Sequence, residues 1–464
     1  MQMRKGFYLI IFLIVATIST AWPGKSPAIK ELPVRPVFKS ALATSFNLPK
    51  QPFSKEYIAA LKKVTDVMVN DVTSPVAASR YYAYITLTAY ETQSLFDSLN
   101  FPSLSGHLNK FFKKPVDGKL VQSSNESLAV ILAIFKSGEK LLPSGYMLQS
   151  QTDSLAALYS KNAREQLLFQ NTLTLVNELL QQVMQYAKAD GFSRLNNLKR
   201  YTPKTADGYW KPTPPVFMAP VEPNWSSLRT FVLDSAQQFK VLPPTIYDTS
   251  RSSSFFIQLM EVYNITNAAN QSQKDIAMFW DCNPFAVQQI GHVEFGLKKI
   301  SPGGHWIGIA GIACLKQKLP LGKTALTHVL VSISLADAFI ACWDEKYRSN
   351  RVRPETAIQK LIDPRWHPLL QTPPFPEYVS GHSVASTAAA FTLTKIFGNQ
   401  FSFADDTETE FGLPVRKYDS FFQAASEAAI SRLYGGIHYK DAIVQGEWQG
   451  EQIGRLIVQQ LIEK

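Results

Sequence analysis

The stretch KYRSNRVRPETA, residues 346–357, places Lys346, Arg348, Arg351 and Arg353 within eight positions. Like charges this close repel, so the spacing asks for compensating anions. Pro354 disfavours helix at Arg353 and removes a backbone donor. A helix entering this stretch should therefore stop between Tyr347 and Asn350. A helix C-terminus welcomes one or two cations through its dipole, and four exceed that need. A bound oxyanion is the other way to hold them together, because guanidinium forks match its geometry.

Two further clusters carry the same chemistry. In FPEYVSGHSVAS, residues 375–386, the triplet Ser380-Gly381-His382 stands where an extended segment turns into a helix. A helix start offers free N–H groups and a positive dipole end. Ser380 adds a hydroxyl, and Gly381 lets the backbone approach a ligand. In ISRLYGGIHYKDA, residues 430–442, Arg432 and His438 flank a helix break at Gly435-Gly436. Singly, these read equally well as an N-cap, a glycine C-cap and a surface histidine. Jointly they supply one Lys, two Arg, a hydroxyl, a glycine N–H and two His. That set can hold a tetrahedral oxyanion together with a covalent partner and an acid–base group.

The spacing Lys346-x6-Arg353-Pro354, then Ser380-Gly381-His382, then Ser431-Arg432-x5-His438 resembles the signature of the vanadium-dependent haloperoxidases, and of the type 2 phosphatidic acid phosphatases that share their anion site. The motifs occupy the last third of the chain. The resemblance implies vanadate as cofactor, with phosphate able to occupy the same site, and hydrogen peroxide and halide as substrates. It implies that His438 binds vanadium and that Lys346, Arg353, Arg432, Ser380 and the Gly381 N–H hold the vanadate oxygens. His382 would be the acid–base group, with Lys346 and His438 sharing the catalysis. Trp343, Asp344 and Phe375 would line the halide approach, where an aromatic wall suits iodide or bromide. Trp343 and Phe375 fit plain core packing as well. The product would be hypohalous acid.

Two positions depart from the pattern. Val379 stands where the family often has Pro before Ser-Gly-His. The phosphatases carry an Asp four residues after the second His. Here that position is Ala442, with Asp441 one residue early. The displaced Asp441 tilts the reading toward a peroxidase. Two alternatives stay open: an acid phosphatase with His438 as nucleophile, and an exported oxyanion-binding protein without turnover.

The elements that must position these residues read as helices. SPVAASRYYAYITLTAYETQSLFDSL has Ser74 as N-cap and Pro75 at the first helical position. SLAALYSKNAREQLLFQNTLTLVNELLQQVMQYAKA has the helical period throughout. KTALTHVLVSISLADAFIACWDEKY is apolar enough to be buried on most sides, and HSVASTAAAFTLTKIF is rich in small residues. Alternating strand patterns are not evident, so the expected class is all-α, a bundle or pair of bundles of the haloperoxidase and acid phosphatase type. Residues 53–265 form an expected N-terminal helical part, and 266–464 a C-terminal part that carries the site. The irregular stretch from Tyr201 to Trp225 reads as an ordered loop packed through Trp210, Phe217 and Trp225.

The N-terminus, residues 1–21, has Arg4 and Lys5, an apolar run from Phe7 to Ile18 and small residues ending at Ala21. That is an export-signal pattern, followed by a lead-in over 22–52, and predicts a periplasmic or secreted protein that leaves the membrane after cleavage. The net charge of +10 is scattered, which argues against nucleic-acid binding. Cys282, Cys314 and Cys342 form no C-x-x-C and read as buried apolar residues. His305 reads as structural or as a support to the site. His107, His292, His328 and His367 show no zinc-type spacing.

Overall fold

The structure, a computed structural model, describes residues 54–290, 293–296 and 298–463. The leader and lead-in segments and His292 lie outside the described residues. Residues 46–464 fall in one compact unit.

The first half supplies α1 (Ser54–Asn70), α2 (Pro75–Phe96), α3 (Gly118–Gln122), α4 (Glu126–Leu141), α5 (Gln149–Leu158) and α6 (Ala163–Lys188). The Ser74 side chain accepts from the Ala77 N–H and Pro75 opens α2, as a cap followed by proline at N1 requires. Residues 75–94 of α2 are buried, and the helix lies between α4 and α10. The expected single helix through residues 154–189 is instead α5 and α6. Asn162 interrupts it, because its side chain caps the Glu165 N–H at 3.0 Å and so starts a new helix.

The second half supplies α7 (Ser254–Asn267), α8 (Gln271–Phe279), α9 (Pro302–Lys316), α10 (Leu321–Ser349), α11 (Pro354–Leu361), α12 (Gly381–Phe397), α13 (Phe421–Tyr434) and α14 (Lys440–Leu461). Two small antiparallel hairpins join them: β1 (Val287–Ile290) with β2 (Val293–Gly296), and β3 (Phe403–Asp405) with β4 (Arg416–Tyr418). The fold is all-α. One continuous apolar core runs from α1 to α14.

The axis of that core is α10. It is long and apolar enough to cross a membrane, but 94% of its most apolar window is buried by protein, as in a core helix. It packs on α2, α9, α12 and α14. The small residues of α12 meet a matching stripe on α14. A Cβ at Gly450 would stand 2.3 Å from the Val384 carbonyl oxygen, and one at Gly446 2.8 Å from the Ser383 Cβ. Glycine there lets the two helices touch backbone to backbone, which fixes the α12 N-terminus against α14.

The 201–225 loop is packed as expected through Trp210 and Trp225, both fully buried. Phe217, expected to pack, is instead 63% exposed. The loop braces the cation-rich stretch directly: Trp210 N–H donates to the Asn350 carbonyl, Val352 N–H to Gly208, and Val221 N–H to Pro374. Cys282, Cys314 and Cys342 are buried free thiols.

Candidate active site

The cations of residues 346–353 divide by partner. Helix α10 ends at Ser349, with Asn350 in the left-handed region (φ +51°), inside the range that Pro354 imposes. Arg348 pairs with Asp344 and the buried Glu345 on its own helix. Arg351 is buried and binds Asp441 through two nitrogens, at 2.7 and 2.6 Å, and Glu377 Oε2 at 2.6 Å. Lys346 and Arg353 bond backbone carbonyls instead. Lys346 Nζ donates to Pro376 (3.1 Å), Glu377 (3.0 Å) and Val379. Arg353 donates to Phe375 and Ile437, both at 2.9 Å. Burial is the main cause that lowers Lys346 to about 7 and Arg353 to about 10. Both lack a carboxylate partner, so a bound anion would favour their charged forms.

Arg432 is buried near the end of α13, where it donates to the Trp280 carbonyl at 2.7 Å and the Ala277 carbonyl at 3.3 Å. The turn after α13 needs Gly436, whose φ is +75° and where a Cβ would meet Pro368, Thr266 and Trp366 at 3.1 Å. It delivers His438 just ahead of α14. His438 Nδ1 lies 2.7 Å from Glu377 Oε1, and Arg353 Nη1 lies 3.2 Å from His438 Nε2. A guanidinium can only donate, and the carboxylate accepts. The proton therefore sits on Nδ1, and the Nε2 lone pair accepts from Arg353. Burial, then Arg353, Lys346 and Arg432, hold the His438 pKa well below the usual imidazole range. Glu377 opposes this. A neutral ring satisfies both neighbours, and that is the state the hydrogen bonds describe.

Ser380 is the N-cap of α12. Its hydroxyl accepts from the Ser383 N–H, and its own N–H donates to the Ala442 carbonyl. Gly381 opens the helix and His382 follows. The His382 Nε2 atom is buried without a partner, and so is Arg353 Nη2. Burial, followed by Arg432 and His438, pushes His382 well below the imidazole range, so it is a neutral base.

Gly381, His382, Arg432 and His438 line one partly open cavity of about 450 Å³, the space at its mouth included. Trp343, Phe375, Phe339, Pro75 and Cys282 complete much of its wall. The Trp343 and Phe375 rings pack at 4.9 Å between centroids. Lys346, Arg353 and Ser380 stand behind this surface, with Lys346 Nζ 5.1 Å and Arg353 Cζ 5.2 Å from the Phe375 centroid.

Asp344, expected to line the approach, stands elsewhere, and Asp441 does not form a pair with His438. The Asp344 carboxylate takes Gln237 at 3.1 Å and Arg348. The Asp441 carboxylate is bound to Arg351, the Thr245 hydroxyl and the Thr245 N–H. The residue that orients His438 is Glu377, which sequence reasoning missed. The signal was available: Glu377 is an acidic residue four positions before an anion-binding turn at Gly381.

A family profile described as the VCPO second helical-bundle domain matches residues 327–365 and 359–464, the region holding all three clusters. The crystal structure of the first bacterial vanadium-dependent iodoperoxidase superposes with a TM-score of 0.84 at 41% identity. The match covers 89% of this chain and 98% of that one. The chain belongs to the vanadium-dependent haloperoxidases. Bacterial vanadium-dependent chloroperoxidases share the fold at 14% and 15% identity, in holo and apo forms. Their TM-scores are 0.61 and 0.60, over 83% of this chain and 92% and 94% of theirs. No match was found among curated proteins. As a vanadium-dependent haloperoxidase, the chain has vanadate as its implied cofactor. The residues present fit that group: among the described residues the unprotonated His438 Nε2 meets only Arg353 Nη1, at 3.2 Å, and Arg353 Nη2 is unpartnered.

Proposed function

We propose that this protein oxidises iodide, and bromide less readily, according to H2O2 + X⁻ + H⁺ → HOX + H2O. The observation that carries the reading is the unprotonated Nε2 of the cavity-lining His438, whose Nδ1 is fixed by Glu377, together with the unpartnered Arg353 Nη2 and His382 Nε2. Bound vanadate supplies a Lewis acid that activates hydrogen peroxide toward a halide.

The chain's own residues do the rest. His438 Nε2 offers the metal ligand. Arg353 and Arg432 neutralise an oxyanion, the Ser380 hydroxyl and the Gly381 N–H at the α12 N-terminus offer donors to it, and Lys346 adds a charge that the anion restores. His382 Nε2 accepts the proton that hydrogen peroxide gives up and returns it to product. Trp343 and Phe375 keep the halide side apolar, which favours the larger, weakly hydrated halides. Residues 1–21 are read as an export leader, so the reaction would take place outside the cytoplasm.

The phosphatase alternative gains from one observation. A carboxylate does orient His438, although it comes from Glu377 rather than Asp441. The misplaced Asp441 therefore no longer argues against phosphoryl transfer, and the preference for the peroxidase rests on the 41% identity. Steady-state assays with vanadate, hydrogen peroxide and each halide test the proposal. The expected order of kcat/KM is iodide, bromide, chloride. A protein that oxidises chloride fastest overturns the aromatic-wall argument.

A further inference from the structure

Beside the cavity lies a second cluster that the proposed reaction does not use. Cys282 follows α8, His305 is in the first turn of α9, and Glu408 follows β3. All three are buried. Their nearest ligating atoms form a closed triangle: Cys282 Sγ to His305 Nδ1 is 3.3 Å, Cys282 Sγ to Glu408 Oε1 is 3.6 Å, and His305 Nδ1 to Glu408 Oε1 is 3.2 Å. One face of a tetrahedral zinc site has these edges. Zn–S of about 2.3 Å and Zn–N or Zn–O of about 2.0–2.2 Å at tetrahedral angles give edges of roughly 3.3–3.6 Å.

The support around the triangle is that of a metal site as well. His305 Nε2 lies 2.8 Å from Asp405 Oδ2. Asp405 is itself held through its other oxygen by the Thr407 N–H and hydroxyl. An N–H donated from Nε2 to a carboxylate leaves Nδ1 as the ligating atom, the arrangement that orients metal-bound histidines. The Trp280 ring stacks on His305 at 4.4 Å and 15°, so the imidazole plane is fixed. The three residues come from positions 282, 305 and 408, which is why no metal spacing is visible in the sequence.

We propose that Cys282, His305 and Glu408 bind one thiophilic divalent transition ion, Zn²⁺ being the closest match, with Asp405 orienting His305. The mixed S, N and O donors favour such an ion over Mg²⁺ or Ca²⁺. Its role is structural. The ion ties the Trp280–Asn283 segment to α9 and to the end of the β3 hairpin. That segment carries the carbonyl which receives Arg432 and lends Cys282 and Asn283 to the cavity wall.

The test is metal binding by the purified full protein, prepared without vanadate. The chelated protein is titrated with Zn²⁺ and, separately, with Co²⁺, whose tetrahedral thiolate complexes have visible and near-ultraviolet bands. The expected result is one ion per chain and a thiolate-to-cobalt band in the wild type. Cys282→Ser should lose that band, and Asp405→Asn should bind roughly 10–100-fold more weakly. If the wild type takes up no stoichiometric Zn²⁺ or Co²⁺, or its cobalt spectrum survives Cys282→Ser, the proposal fails. The cluster is then an imidazolium held between two carboxylates. The wild-type spectrum decides even if a variant does not fold.

Discussion

Glu377 holds His438 through a 2.7 Å contact from its Oε1 to Nδ1, while its Oε2 accepts from Arg351 at 2.6 Å. The same Oε1 also takes the Tyr439 N–H at 3.0 Å. One buried carboxylate thus sets the tautomer of the proposed vanadium ligand and neutralises the cation next to it. Removing it should show in metal affinity before it shows in fold. Glu377→Gln keeps the shape but loses the charge, so vanadate should bind roughly 10–100-fold more weakly. Titrating the apo-protein with orthovanadate, with recovery of halide oxidation as readout, measures this. Unchanged affinity would mean that Glu377 does not orient His438.

Asp441 supplies the contrast. It is committed to Arg351 and Thr245, away from His438. Asp441→Asn should lower stability by about 1–3 kcal/mol, because Arg351 loses part of its charged pairing. Vanadate affinity and kcat should change by less than about threefold, since Glu377 still holds the ring. Urea unfolding and steady-state kinetics on the one variant separate the two effects. A loss of vanadate affinity as large as that of Glu377→Gln would return the orienting role to Asp441.

Lys346 ties anion binding to pH. Burial lowers its pKa from 10.5 to about 7, so between those values the folded empty protein binds fewer protons than the unfolded chain. This group therefore adds stability above about pH 10, and the contribution is lost as pH falls through about 7. A bound anion favours the ammonium and raises the pKa, so binding takes up a proton above pH 7. Calorimetry at pH 8 in two buffers of different ionisation enthalpy counts those protons. Comparison with Lys346→Met cancels the anion's own titration. Wild type should take up more protons than the variant, approaching one per site. Equal uptake contradicts the assignment.

Much of the site was legible because its residues lie close together in sequence or beside strong breakers. Pro354, Gly381 and the Gly435-Gly436 pair marked where helices stop and start, and the structure places Lys346, Arg353, His382, Arg432 and His438 around those breaks. Long-range pairing was not legible. That Arg351, which falls outside the motif spacing, pairs with Glu377 and Asp441 depends on three segments meeting. So does the exposure of Phe217, whose loop is anchored by its neighbours Trp210 and Trp225. The break between α5 and α6 was missed because the apolar period continues across Asn162, whose local capping outweighs the period.

The glycine stripe of α14 gives a packing prediction. Gly450→Val adds three carbons where a Cβ alone would overlap the Val384 carbonyl, so α12 must move away. The cost should be at least about 1–3 kcal/mol, and the shift at Ser380–His382 should weaken vanadate binding as well. Thermal melts with and without vanadate test this: the variant should melt lower and gain less from vanadate than wild type does. A normal melting temperature would mean that the helix contact is looser than the structure describes.

The central claim is that His438 carries vanadium for halide oxidation, and one paired assay tests it most directly. Purified wild type and His438→Ala are given orthovanadate, hydrogen peroxide and iodide, and vanadate-free aliquots are given a chromogenic phosphate ester. The account predicts iodide oxidation that requires vanadate and disappears in His438→Ala. Ester hydrolysis that vanadate inhibits, with no iodide oxidation, would contradict it and make the protein a phosphatase.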